Sequence, residues 1–388
     1  MNVLERLDAT VQLPEHEAML LDAVRKLSRE KIAPRAAALD REGEFPWENI
    51  KDINELALNS MFIPEDYGGS GLSYSAYLAC VREISMACAS TGITWATNFH
   101  AVSPLVDFAS DEQKKRWLPK IAEGGIAALA LTEPGAGSDA TGMKTRFTVD
   151  GDDIVINGSK IFISNGDVAD VIVLFGKWDA LGDGKDAISI VVIEKGSPGL
   201  HVLRTEEKMG MCGSSTAALS FDNCRVPRTN LIGEPGQGLP MLFHFLNKSR
   251  PSVAAHALGI ARAAFDDAVA YINERRQSGR KIIEFQGIQF MVADMATDLA
   301  MCERWLWHVA AQIENGDVNV AQESSMLKMR ASDLAMRIST DGVQLHGGYG
   351  FTKDFRAERL MRDAKITQIW EGTNQVHRQL IGRSFLAK

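Results

Sequence analysis

Cysteine is scarce in this chain: five in 388 residues, at Cys80, Cys88, Cys212, Cys224 and Cys302. The number is odd and no two stand at CxxC spacing, which excludes a disulfide scaffold; the five read as reduced thiols. The eight histidines include no HExxH and no pair at ligand spacing with a cysteine, so no metal site is expected. Basic residues never run long enough to track a phosphate backbone, and the net charge is -8, so nucleic acid is not an expected partner. No window approaches about eighteen uninterrupted apolar residues, which argues against a membrane-spanning helix. The first residues, Met1 to Asp8, lack both a basic flank with an apolar core and a small-residue cleavage site, and a cytoplasmic location is expected.

What is present is enough apolar residue for a large core. With 45% hydrophobic and 24% charged residues the chain is globular and long enough for two or three domains. Leu20, Val24 and Leu27 recur at helical spacing between Pro14, placed for a first turn, and Pro34, placed for an exit. Helical texture continues to about residue 122, broken by the glycine-rich turn around Gly68, Gly69 and Gly71. From about 126 to 238 alternation takes over. Phe147 and Val149, then Ile154 and Ile156, flank the turn Asp150-Gly151-Asp152-Asp153, and further strands are expected at 171–175, 188–193 and 218–221. After about 239 the texture is helical again, with a wide stripe of small residues at Ala257, Ile260, Ala261, Ala264, Phe265 and Ala268. Further helices are expected over 284–315, 320–342 and 372–385. The expected fold class is α+β: a helical domain over 1–125, a mainly antiparallel, barrel-like β domain over 126–238, and a four-helix bundle over 239–388.

Four stretches depart from plain structural texture. In Ile369-Trp370-Glu371-Gly372-Thr373-Asn374-Gln375, a carboxylate sits between an indole and a glycine. Desolvation beside the indole favours the proton-accepting role of a general base, and Gly372 permits close approach of a substrate. Leu131-Thr132-Glu133-Pro134-Gly135-Ala136-Gly137-Ser138-Asp139 is a tight turn offering backbone N–H groups and hydroxyls. It suits a polar ring edge or a phosphate, or is an ordinary turn, and it is neither a Rossmann fingerprint nor a P-loop. Lys160 to Gly166 reads as a strand with Phe162 and Ser164 on one face, either a wall for a flat cofactor or an edge strand with a core aromatic. Gln344-Leu345-His346-Gly347-Gly348-Tyr349-Gly350 is a glycine-rich connector that lets a dinucleotide approach, or a helix C-cap.

Six segments in register, ALTEPGAGSD (130–139), KIFISNG (160–166), RPSVAAHALGIA (250–261), ERRQSGR (274–280), QLHGGYGF (344–351) and LMRDAKITQIWEGTNQ (360–375), together resemble the acyl-CoA dehydrogenase family over nearly the whole chain. The resemblance implies a flavoenzyme, commonly a homotetramer built as a dimer of dimers, with FAD between the β domain and the bundle. It implies that Leu131 and Thr132 face the flavin edge, that Ser138 lies nearer the pyrophosphate and the substrate, and that Phe162 and Ser164 line the flavin where Trp and Thr are more usual. Arg275, Gln286, Gln344, Gly347 and Gly348 would hold the FAD of a neighbouring subunit; Thr373 and Gln375 would contact FAD in their own. Arg250 and Gly372 belong to the acyl-CoA site.

The same resemblance implies the reaction, α,β-dehydrogenation of an acyl-CoA. Glu371 takes the α-proton, its N–H stabilises charge on the thioester oxygen, and the β-hydride passes to flavin N5, with electrons going on to an electron-transferring flavoprotein. Some members place the base just before the arginine equivalent to Arg250; here Ser249 stands there, so Glu371 is the base. Ser278 replaces a common Phe and Cys212 a common Arg, which puts packing and ion pairing near those positions in question. An acyl-CoA oxidase or monooxygenase, and a non-catalytic acyl-CoA-binding scaffold, are the alternatives on this fold. The pocket floor is expected around Thr91 to Asn98, where Thr91, Thr94 and Asn98 read more readily as helix surface than as a polar patch. A short, branched or cyclic acyl group is the expected substrate.

Overall fold

The computed structural model describes residues 3–8, 11, 13–317 and 320–386. Met1 and Asn2, with which the N-terminal reading begins, lie outside them. The chain starts with helices α1 (Val3–Asp8), α2 (Glu15–Leu27), α3 (Ala33–Glu42), α4 (Trp47–Glu55), α5 (Tyr74–Ala87), α6 (Ala89–Phe108) and α7 (Asp111–Ala122). Ser73 caps α5 by accepting from the Ala76 N–H, and Ser110 with Gln113 forms a reciprocal capping box on α7. Pro34 does not end a helix as its position suggested. A π turn over Ser28–Ile32 resets the hydrogen-bond ladder, so Pro34 falls in the first turn of α3, where a missing N–H costs nothing. Helix α6 is buried along nearly its whole length, which corrects the surface reading of Thr91, Thr94 and Asn98. A helix with no polar face has no surface to offer. Asn98 and Thr91 serve as ties instead: Asn98 Oδ1 accepts from the Ala127 N–H at 2.8 Å, and Thr91 Oγ1 accepts from Asn49 at 2.9 Å, while the Thr94 hydroxyl is buried with no hydrogen-bond partner among the described residues.

The middle of the chain supplies β1 (Ala127–Ala130), β2 (Arg146–Asp150), β3 (Asp153–Ser164), β4 (Val171–Trp178), β5 (Ile188–Glu194), β6 (Leu200–Thr205), β7 (Thr216–Pro227) and β8 (Leu231–Ile232). They form one sheet in the order β6-β7-β3-β2-β4-β5-β8, with β1 added alongside β4. Most pairings are antiparallel, as the hairpin pattern predicts, but β1 and β2 each run parallel to β4. All eight residues of β4 are buried because both faces are covered. Val171, Val173 and Phe175 pack toward α6 and α7, while Ile172 and Leu174 join β3, β5 and β7 in a second cluster inside the rolled sheet.

The C-terminal part is α8 (Gly238–Glu274), a short hairpin of β9 (Arg276–Gln277) and β10 (Arg280–Lys281), then α9 (Gln286–Glu314), α10 (Ala321–His346), α11 (Gly348–Phe351), α12 (Ala357–Thr367) and α13 (Asn374–Ser384). The small-residue stripe on α8 is buried, and it lets α10 approach closely. Pro251 lies inside α8, and its missing N–H leaves the Asn247 carbonyl without a helical donor. The Ser324 hydroxyl of α10 fills that place at 3.0 Å, so the proline becomes a helix–helix tie. One core cluster runs through α2, α5, α6, α8, α9, α10 and α12, joining the first and last thirds of the chain.

Candidate active site

The connector between α12 and α13 holds Glu371, the residue expected to act as the base. Glu371 has φ +52° and Gly372 φ +94°, two successive residues in left-handed backbone. For glycine this is ordinary, but for glutamate it costs about 1–2 kcal/mol, so the turn has to be held by its surroundings. A side chain at 372 would also meet the His377 ring, its Cβ 3.2 Å from Nε2. Glu371 is half-buried, and the Ser249 hydroxyl of α8 donates to its Oε2 at 2.8 Å. Ser249, set aside as a base, is therefore the residue that orients the Glu371 carboxylate. Trp370 packs edge-on against the His256 ring, 5.6 Å between centroids, on the core side of the turn.

Next to Ser249, Arg250 is buried. Its Nη1 donates to Ser325 at 3.2 Å while its Nε has no protein partner. Burial holds that guanidinium below its ordinary value, with the Glu371 charge opposing. A buried donor without an acceptor marks a place where a ligand group can be received.

The segments 130–139 and 160–166 are brought together. The Ile161 N–H donates to the Thr132 carbonyl at 2.9 Å, and Lys160 Nζ donates to the Leu131 carbonyl at 2.8 Å and to Glu133 Oε1 at 2.8 Å. Glu133 also accepts from the N–H groups of Lys144 and Thr145, so its carboxylate sits in a closed cage. Sequence reasoning assigned no role to Lys160 or Glu133, and a single Lys in an apolar strand and a single Glu in a glycine loop were the signals available. Ser138, Gly135 and Gly137 are exposed, with open space beside both glycines. Phe162 and Ser164 do not follow simple alternation. Ile161 and Phe162 together oppose one residue of β7, in a bulge between Lys160 and Ile163, and Phe162 has φ +60°. The bulge presents the Phe162 ring outward, 61% exposed.

Arg275, Gln344, Gly347 and Gly348 line one cleft of about 650 Å³ on the bundle, with Tyr271, Tyr349 and Ile288. None of the residues around Glu371 lines it. Gln286, at the start of α9, is exposed but outside the lining. Thr373 is the N-cap of α13, its hydroxyl accepting from the Val376 N–H, and Gln375 is exposed two residues on. His346 is structural: it donates to the Gly342 carbonyl at 2.7 Å and stacks on Tyr271. Ser278 occupies the exposed tip of the β9–β10 hairpin at φ +51°. Asp40, near Cys212, has its cation in Arg362 at 2.7 Å.

The chain matches the description "Acyl-CoA dehydrogenase, N-terminal domain" over residues 14–125, the middle domain over 128–224 and the C-terminal domain over 236–386. The chain belongs to the acyl-CoA dehydrogenase family. An acyl-CoA dehydrogenase of Bacillus subtilis is 40% identical over 378 residues, covering 97% of this chain and 99% of its own. Butyryl-CoA dehydrogenase of Megasphaera elsdenii superposes with a TM-score of 0.94 at 35% identity, over 97% of this chain and 100% of that one. A chain from a structure of the electron transferring flavoprotein of Acidaminococcus fermentans also reaches 0.94, at 41% identity, over 97% and 99%. Membership makes the protein an oxidoreductase of a family that uses FAD, with the expected order of helical, β and helical parts. Among the described residues no helix is long and apolar enough to cross a membrane, and no cluster of metal-binding side chains occurs.

Proposed function

We propose that this acyl-CoA dehydrogenase oxidises an acyl-CoA thioester to the 2-enoyl-CoA with Glu371 as the base. The observation that carries the reading is the left-handed turn at Glu371 and Gly372, which presents a carboxylate whose Oε2 is fixed by the Ser249 hydroxyl at 2.8 Å. Glu371 takes the α-proton, the electron pair left behind forms the new double bond, and the β-hydrogen departs with its own pair. The Glu371 N–H donates to the thioester oxygen as charge grows there, and Gly372 leaves room for that approach. Arg250 has an unpaired buried Nε to offer the acyl-CoA.

The residues present fit FAD. An open glycine loop with Ser138, a polar edge at Leu131 and Thr132, and an outward aromatic at Phe162 beside Ser164 suit a flat ring with a phosphate tail. When bound, FAD supplies the hydride acceptor. Thr373 and Gln375 would hold it within the subunit. The cleft of Arg275, Gln344, Gly347 and Gly348, with Gln286 beside it, would complete a neighbouring subunit's site in a dimer of dimers. Electrons would leave to an electron-transferring flavoprotein, in line with the Acidaminococcus likeness. A short acyl chain is favoured by the likeness to the butyryl-CoA enzyme, with branched and cyclic groups next. We place the enzyme in the cytoplasm.

The test is anaerobic mixing of the flavin-replete protein with short, branched and cyclic acyl-CoA thioesters while following flavin absorbance. Bleaching by one thioester, reversed by an electron-transferring flavoprotein, is the expected result; no bleaching by any would overturn the reading. Glu371→Gln should keep flavin and thioester binding and lose about 10²- to 10⁴-fold in turnover. Undiminished turnover would remove Glu371 from the role.

A further inference from the structure

Lys328 of α10 is fully buried, 0% exposed, yet its two hydrogen-bond partners carry no charge. Nζ donates to the Gly372 carbonyl at 2.7 Å and to Asn374 Oδ1 at 3.1 Å. Both acceptors belong to the turn that carries Glu371. The same face of α10 grips the turn elsewhere: Asp333 Oδ1 accepts from Gln368 and from Asn374, each at 2.7 Å, and Asn374 Nδ2 reaches Ser332 Oγ at 2.9 Å. Gln368 and Asn374 close on each other through an N–H to carbonyl bond of 3.0 Å. Those bonds hold the ends of the turn. Lys328 alone among these groups reaches Gly372, the residue following the base in the left-handed stretch.

An ammonium taken out of water without a counter-ion is unfavourable, so its retention calls for a reason. Burial pushes Lys328 down to about 7, and the charge acting most strongly in the other direction is that of Glu371. Arg250 from α8 opposes protonation, Asp333 of the same helix favours it, and the His377 ring of α13, kept neutral by burial, lies against Gly372.

We propose that Lys328 is a positioning residue for the dehydrogenation, holding the Glu371–Gly372 turn in its left-handed geometry from inside the bundle. It touches no reacting atom; it acts through Gly372 and Asn374 on the placement of the Glu371 carboxylate and N–H. This rests on the reading of Glu371 as the base. A base displaced by about 1 Å loses turnover, and so does an N–H that donates most strongly as charge grows on the thioester oxygen, while the binding made away from the turn is kept.

The decisive variant is Lys328→Met, which fills the same volume without donor or charge. The expected result is a kcat lower by about 10- to 100-fold with KM for the thioester and flavin content within about threefold of the parent. Amide hydrogen exchange over 368–375 should quicken by about tenfold, without substrate present. Unchanged kcat, a loss of kcat with unchanged exchange, or a parallel loss of flavin would each overturn the proposal. If Lys328→Met does not fold, Lys328→Gln is read by the same criteria. The exchange measurement separates the two readings: a parent that bleaches with no thioester refutes the function, whereas exchange unchanged by the substitution refutes the positioning whatever the substrate.

Discussion

Two buried lysines each tie down a carbonyl of a loop at the site, and they do so in opposite ways. Lys160 binds the Leu131 carbonyl and closes on Glu133 at 2.8 Å, so charge and countercharge cancel inside the β domain. Lys328 binds the Gly372 carbonyl, and the opposite charge it feels most is the carboxylate proposed to react. The first loop is a finished piece of structure, held whether or not anything binds. The second is held by a cation whose hydrogen-bond partners, the Gly372 carbonyl and Asn374 Oδ1, carry no charge. The wall proposed to face the cofactor is closed by its own ion pair, whereas the turn proposed to carry the base is held by a cation with no such partner.

The sharpest way to break this comparison is to remove the countercharge in the first loop. Glu133→Ala leaves Lys160 buried and unpaired, and the expected loss is about 3–5 kcal/mol, measured by chemical denaturation. Flavin should be lost with the 130–139 loop. The double variant Glu133→Leu with Lys160→Met should recover most of the stability, because an apolar pair of similar volume replaces an ion pair at little net cost. A single variant as stable as the parent would show that the pair is not what holds the loop.

A smaller effect separates the two lysines by pH. In the unfolded chain Lys328 keeps its proton to about 10.5, whereas in the folded enzyme it releases it near 7. Between those values the unfolded state binds more protons, so the folded state gains stability as pH rises through the window. The cost of burying the charge is therefore fullest below about 7. Lys328→Met removes that cost, so its global stability advantage over the parent should be largest near pH 6 and shrink by up to about 1.4 kcal/mol per unit above 7. Thermal or urea unfolding of both proteins from pH 6 to 9.5 measures it. An advantage independent of pH would mean that Lys328 is not a buried, titrating cation. The local loosening of the turn and the global gain are separate quantities and are read by separate methods.

Much of this was legible in the sequence because it is local. The Asp150–Asp153 turn pairs β2 with β3 as the alternation predicts, and the small residues of α8 are the buried face that receives α10. What could not be read is pairing at a distance. Glu133 and Lys160 are 27 positions apart, Ser249 and Glu371 122, and Lys328 and Gly372 44. No periodicity links such residues; only the packed fold does. The π turn before Pro34 and the bulge at Phe162 were hidden for a related reason, since each inserts residues that break the period on which the reading relied.

The smallest expected effect bears on Thr373, which has two roles to tell apart. Its hydroxyl caps α13 by accepting from the Val376 N–H, and the same residue is proposed to contact FAD. Loss of a cap costs about 1 kcal/mol, so Thr373→Ala should lower stability by that amount even in the flavin-free protein. Thr373→Ser keeps the oxygen and should restore the cap. If the hydroxyl also serves the cofactor, Thr373→Ala should weaken FAD retention beyond its effect on the apoprotein, and Thr373→Ser should restore both. Equal losses with and without flavin would make Thr373 a cap alone. That outcome would leave the cofactor to the β-domain loop, and the turn's residues to the base.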